Sequence, residues 1–272
     1  MTVLAEQEWR ARQDAHYARV RQWTGPHRER QARGVKHPVL DFMFTYYSHR
    51  PARFERWHPG LGVTLEGARE FLDLRGYAEF TGGVALDPAE LTEARRGTAE
   101  FVHGLLSATA SRRPKLGCFG LHEWAMVYRT DDVRHAEWPL RLGPQRTDEV
   151  VESLPLRCSH FDAFRFFTED AVPRNAARLS RERQADFEQP GCLHATMDLY
   201  KWTSKLERFL PSELIADCFE LALDARELDM RASPYDLSDL GYPPVRIETE
   251  TGRAEYARAQ AALAERAEPL RH

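Results

Sequence analysis

Apolar residues recur at helical spacing along most of this chain. Between Glu6 and Trp23, the residues Trp9, His16, Val20 and Trp23 fall near one stripe with arginines around the remainder, the pattern of a helix with one buried face. Gly25-Pro26 is expected to break that helix, leaving a second short one over the basic run to Gly34. The segment VLDFMFTYY is almost wholly apolar, with Asp41 its only charge, and should be buried. Short extended pieces between Val63 and Ala85, punctuated by Gly67, Gly76 and Gly82-Gly83, predict a small hairpin. Asp87, Pro88 and Glu90 supply the N-cap, first-turn proline and capping-box signals of a helix running to about Thr109. A linker after Arg129 and a short acidic helix near Thr147–Leu154 follow, and residues 172–190 read as irregular. Pro211-Ser212 starts a helix in which Leu214, Cys218, Leu221, Ala225 and Leu228 repeat at intervals of four and three. A last amphipathic helix is expected from about Gly252 to Ala267. These elements predict a mostly α (α+β) protein: one helical domain over residues 1–272 with a minor strand or hairpin element.

Composition changes this picture little, and charge changes it more. The formal net charge is −4, against a protein held to nucleic acid by bulk charge. The average hides a gradient. Residues 1–56 hold eleven Arg or Lys against six Asp or Glu, and residues 209–272 hold seven against thirteen. Either the two ends pack on one another, or the basic start meets an anionic partner. The four cysteines, Cys118, Cys158, Cys192 and Cys218, form no C-x-x-C pair, so no zinc knuckle or thioredoxin-type site is written here. The start MTVLAEQEWRARQDAH lacks the apolar core of a signal peptide, and no apolar run is long enough to span a bilayer. A cytoplasmic protein with reduced thiols, not bound to a membrane, is expected.

Three segments bring titratable groups into apolar surroundings. In GCFGLHEWAMVYR, a helix would be apolar on every side except at His122, Glu123 and Arg129. A carboxyl buried there needs a partner, or its pKa rises until it serves as a general acid or base. In CSHFDAFRFF, strand spacing would set His160 beside Asp162, whereas helical spacing would pair Asp162 with Arg165. In GCLHATMDLYKW, His194 and Asp198 share a helix face, which suits two ligands of one metal, although Lys201 and Lys205 continue the same face. The acidic stripe Glu213, Asp217, Glu220, Asp224 and Glu227 reads as a solvated face or one docked on arginines. There is no G-x-x-x-x-G-K-[ST] loop, no G-x-G-x-x-G fingerprint and no G-x-S-x-G elbow, so nucleotide and α/β-hydrolase chemistries lose support.

The strings FTYYSHRPARFERWHPG, GCFGLHEWAMVYRTDDVRH, RCSHFDAFRFFTEDAVPRN, EQPGCLHATMDLYKW and DMRASPYDLSDLGYPPVRIET run through nearly the whole chain. On these strings the chain resembles a family of bacterial proteins labelled 3-methyladenine DNA glycosylase. The resemblance implies a DNA-repair N-glycosylase that extrudes an alkylated purine, stacks it on aromatic rings and uses a carboxylate to position water. Glu123 with His122 fits the catalytic part best, followed by His160, Asp162 and Asp198. Trp124, Tyr128, Tyr46 and Trp202 are candidates for the base pocket, and the arginines of residues 10–33 for DNA phosphate contacts. That reading needs no cofactor. The chain has no L-P-G-[VI]-G hairpin followed by an aspartate, so no catalytic residue carries over by motif. A competing reading is a helical metal-dependent oxidoreductase, a di-iron centre included. It would hold iron, manganese or zinc on His194, Asp198 and His160, with His122, Glu123 and Asp162 as further ligands.

Overall fold

The computed structural model describes residues 2–132 and 137–272. The linker expected after Arg129 falls partly outside them. Helix makes up 56% of the structure and the only sheet among the described residues has four short strands, so the protein is mostly α with a minor strand element. Among the described residues eleven α-helices follow one another: α1 (Glu6–Ala32), α2 (Phe42–Thr45), α3 (Pro51–Phe54), α4 (Glu93–Ala110), α5 (Leu121–Ala125), α6 (Gly143–Ser153), α7 (Phe161–Phe164), α8 (Gln184–Phe187), α9 (Leu193–Lys205), α10 (Ser212–Arg231) and α11 (Glu250–Arg271). The chain forms two compact units, one of Met1–His103 with Tyr200–Glu220 and one of Gly104–Leu199 with Leu221–His272.

The first unit is built on α1 and the sheet. Strands β1 (Thr2–Leu4), β2 (Val63–Leu65), β3 (Tyr77–Phe80) and β4 (Gly83–Leu86) lie in the order β1-β2-β4-β3. The β3–β4 hairpin is the one expected, closing at Phe80 opposite Gly83. The parallel pairing of β1 with β2 was not foreseeable from a three-residue strand. Trp9, Trp57, Leu65, Phe71 and Tyr77 fill the core against it, and the Trp9 indole N–H donates to the Glu66 carbonyl at 2.8 Å.

Helix α1 does not break at Gly25-Pro26, contrary to the reading of that pair as a stop. Pro26 has no N–H to give the preceding turn, but side chains on both sides of it are anchored. The Thr24 hydroxyl donates to Glu55 at 2.5 Å, Arg28 reaches Glu55 at 2.7 Å, and Arg30 and His27 reach Asp41 at 2.6 and 2.8 Å. These tertiary bonds outweigh the roughly 3 kcal/mol that an internal proline costs. The charge gradient has a local use in this unit. Arg12 pairs with Glu213 at 2.9 Å, and Arg19 with Asp217 and Glu220 at 2.7 and 2.6 Å. The acidic stripe is therefore docked on arginines over this stretch. At the other capping signal, Asp87 accepts from the Ala89 N–H at 2.8 Å, but only a 3₁₀ turn over Pro88–Glu90 results and α4 starts at Glu93.

His58 is buried in this unit with its Nδ1 2.9 Å from the Tyr77 hydroxyl. Burial pushes its pKa down to about 4, with the Glu207 charge opposing. Between that value and the usual 6.5, the unfolded chain takes up a proton that the folded chain refuses, so stability falls as pH falls. Lowering pH from 7 to 5 is expected to cost roughly 2 kcal/mol at this residue. Urea midpoints across that range check it: His58→Asn should flatten the slope, and an unchanged slope would assign it elsewhere.

Candidate metal centre

Residues Leu121–Tyr128 are all buried, as an all-round apolar stretch requires. Gly120 makes the entry possible. Its φ is +71°, and a Cβ there would stand 3.3 Å from the Ala232 Cβ, so the turn is both left-handed and tight. The helix α5 that follows carries His122 and Glu123 inward, where their paths separate. Glu123 accepts from Arg226 Nη1 at 2.9 Å, and the same nitrogen reaches Asp229 Oδ2 at 3.0 Å. His122 Nε2 lies 2.8 Å from the other oxygen of Asp229, Oδ1. That approach lacks the alignment of a hydrogen bond, and both atoms are buried without a hydrogen-bond partner. His194, on α9, packs its ring edge-on to that of His122 with centroids 4.5 Å apart. One ligand atom from each of His122, His194 and Asp229 falls within 4.8 Å of the other two.

A second group stands beside the first. His160 Nε2 is 3.1 Å from Glu188 Oε1 and 3.3 Å from Asp198 Oδ2, all three residues are buried, and their ligand atoms again lie within 4.8 Å of one another. Neither nitrogen of His160 has a hydrogen-bond partner. The rings of His160 and His194 are 5.3 Å apart, so His194 joins the two groups into one constellation. Buried polar atoms normally find partners. Here the Nε2 atoms of His122 and His160 and Asp229 Oδ1 lie close to oppositely charged neighbours without a hydrogen-bond partner, the arrangement of ligands that converge on a shared cation.

The charges make the same point. Burial alone would lower the pKa of His160, but the Glu188 and Asp198 charges outweigh it and raise it to about 10. Burial would likewise lower His122, and Asp229 turns the shift strongly upward. Asp229 is itself held well below the usual carboxylate range: burial would raise it, and His122, His194 and Arg226 overrule that. His194 goes the other way. Burial, reinforced by the neighbouring His122 and His160, drives its pKa far down and leaves a neutral imidazole with a lone pair to offer. Three carboxylates are thus balanced by protons in places suited to metal ions.

Further residues aim these ligands. Arg226 occupies Asp229 Oδ2 and leaves Oδ1 toward His122. The Gln184 amide donates to Glu188 Oε1, and its own carbonyl accepts from Arg181 at 3.1 Å. Arg112 grips the backbone carbonyls of Glu188 and Ala185 at 2.7 and 2.6 Å. Gly191 leaves no room for a side chain, since a Cβ would come within 2.9 Å of the Lys115 carbonyl. Such outer contacts set ligand orientation in metal proteins.

A cavity of about 10 Å³ adjoins the first group, lined by Cys118, His122, Cys158, Cys192, His194 and Tyr256 among others. Cys118 Sγ is 3.8 Å from His122 Nδ1. Burial pushes the Cys158 and Cys192 thiols up, so they stay protonated and line the cavity as small neutral groups rather than thiolate ligands.

The structure therefore brings together His122, His160, His194 and Asp198 of the residues singled out in the sequence. It sets Glu123 apart on Arg226. Asp162 is also apart, paired with Arg181 and 3.5 Å from Arg165, as helical spacing rather than strand spacing implies. The four aromatic candidates do not meet at this centre. Trp124 is buried with its indole N–H on the Ala232 carbonyl at 2.8 Å, and the Tyr128 hydroxyl donates to Glu152 at 2.9 Å. Tyr46 stacks on Phe42, and Trp202 meets Phe101 edge-on beneath Lys201 and Lys205; both belong to the first unit. Glu188 and Asp229 were missed. Asp229 had a signal, since Arg226 and Asp229 stand three apart on the otherwise apolar face of α10. Comparison with protein-family models, with curated proteins and with solved structures finds no match to this chain.

Proposed function

We propose that the protein is a metal-dependent oxidoreductase with a two-metal centre in its second unit. His122, His194 and Asp229 would hold one ion, and His160, Glu188 and Asp198 the other. The observation that carries this is the close approach, at 2.8–3.3 Å, of the buried His122 and His160 Nε2 atoms to carboxylate oxygens while those nitrogens have no hydrogen-bond partner. Two histidines and one carboxylate with positions left open form the donor set of non-haem iron oxygenases, and nitrogen–oxygen sets of this kind also suit manganese and zinc. Bound iron or manganese would supply one-electron chemistry with dioxygen. The chain supports that use by excluding bulk water: Met197, Leu199 and Ala195 around the α9 ligands are buried. The adjoining cavity has room for one water-sized or diatomic molecule, far less than an extruded purine needs. Glu123 is committed to Arg226, and Arg12, Arg19, Arg28 and Arg30 to carboxylates, which weakens the glycosylase reading that the family resemblance implies.

Elemental analysis of untagged protein is expected to find about two iron or manganese ions per chain, matching the two ligand groups. Iron(II) loaded without air should oxidise once air is admitted. Release of 3-methyladenine from methylated DNA by metal-free protein would overturn the proposal in favour of the repair enzyme.

A further inference from the structure

A second cavity in the same unit, of about 330 Å³, lies along the last turns of α11. Leu116, Pro190, Ala261 and Ala264 give it apolar walls, and Arg112 and Arg271 are its cationic residues. The volume falls within the range of small-molecule pockets. Arg271 is the unusual member. Only 7% of it is exposed, its Nε and Nη2 have no hydrogen-bond partner, and among the described residues it forms no salt bridge. A guanidinium stays charged in a protein, and a buried, unpaired charge is strongly unfavourable unless a counter-ion meets it. Burial pushes its pKa down, and the charges of Glu268 and Glu188 oppose that without bonding to it.

The cavity is linked to the candidate ligand groups through the chain. Along residues 188–190, Glu188 belongs to the ligand group, Gln189 lines the small inner cavity and Pro190 lines this one. Helix α11 likewise presents Tyr256 and Gln260 to the inner cavity and Ala261, Ala264 and Arg271 to the outer. Arg112 ties the two together by holding the Glu188 carbonyl.

We infer that this cavity binds a small organic monocarboxylate, its carboxylate on Arg271 and its hydrocarbon part on the alanine, leucine and proline walls, as the substrate presented to the metal centre. The choice of ligand follows from the walls and the rim. A planar guanidinium matches a carboxylate in a two-pronged contact, and apolar walls favour a ligand with a carbon body over a bare inorganic ion. Glu265 and Glu268 at the exposed rim repel a dianion such as phosphate more than a monoanion.

That the bound acid is the substrate rests on the oxidoreductase reading; that the acid binds does not. Titration calorimetry of metal-free protein with sodium hexanoate therefore tests the pocket alone. Binding is expected for hexanoate and not for hexan-1-ol, hexylamine or inorganic phosphate. Arg271→Gln should weaken hexanoate by at least about tenfold, while leaving the thermal midpoint of the ligand-free protein equal or higher, because it removes an unpaired buried charge. Ala264→Met, which fills the cavity and keeps the arginine, should weaken binding as well. Equal binding of hexanol, preference for phosphate, or unchanged affinity in Arg271→Gln would overturn the assignment. If hexanoate binds but never alters the air oxidation of the iron-loaded protein, the pocket stands and its role as the substrate site falls.

Discussion

Replacing His194 with alanine is expected to empty the proposed position on His122 and Asp229 and to weaken the neighbouring one, lowering metal affinity at the first by at least about a hundredfold and with it the proposed oxidation of bound iron by air. Two features set this residue apart from the other ligands. Its ring packs against those of both His122 and His160, with centroids 4.5 and 5.3 Å away. It is also the member driven toward the neutral form, chiefly by burial, whereas its two neighbours hold protons against nearby carboxylates. Without it, the first group keeps one nitrogen and one oxygen donor, too few for a stable ion. The second group keeps its three donors but loses the imidazole packed against His160. Metal content by elemental analysis, read beside circular dichroism, checks this. Two ions per chain retained in a folded His194→Ala protein would show that the groups bind separately or not at all.

The second large effect concerns stability. Arg226→Leu is expected to destabilise the metal-free protein by about 3–5 kcal/mol, the range for removing one partner of a buried ion pair. Arg226 is 2% exposed and its Nη1 serves both Glu123 and Asp229, themselves 5% and 0% exposed. Leucine would leave both carboxylates in the interior without that donor. Denaturant unfolding measures the loss, and adding Glu123→Leu should recover part of it, because one of the stranded charges then disappears. A loss below about 1 kcal/mol would mean that water reaches the cluster and the interior is less dry than its burial implies.

Much of the helical layout and part of the centre were legible in the sequence. The all-round apolar run Leu121–Tyr128 pointed to burial, and His194 and Asp198 at helical spacing pointed to a shared face; both follow from local periodicity. Glu188 was not legible, because it ends the four-residue helix α8 in a stretch without any period, and only long-range folding brings it to His160. Asp229 was hidden for a different reason. The five acids of α10 stand out by number, yet those that dock on arginines do so outside the candidate ligand groups, and it is the single aspartate on the apolar face that lies beside His122. Glu123 had the environment expected of a reactive carboxyl, but its partner, Arg226, lies 103 residues away. Helix α1 shows the same limit from the other side. Its glycine–proline pair is a sound local stop signal that contacts from Glu55 and Asp41 override.

Cys158 is 6% exposed in the second unit and Cys218 is 0% exposed in the first. An alkylating reagent cannot reach either sulfur in the closed fold, so labelling waits for the surrounding structure to open. Each unit thus carries its own clock for rare openings. The rate at Cys158 counts how often the walls around the histidines part, and the rate at Cys218 does the same for the aromatic and sheet-bearing unit. Read by mass spectrometry on one sample, the pair reports the breathing of each half of the molecule without any engineered probe.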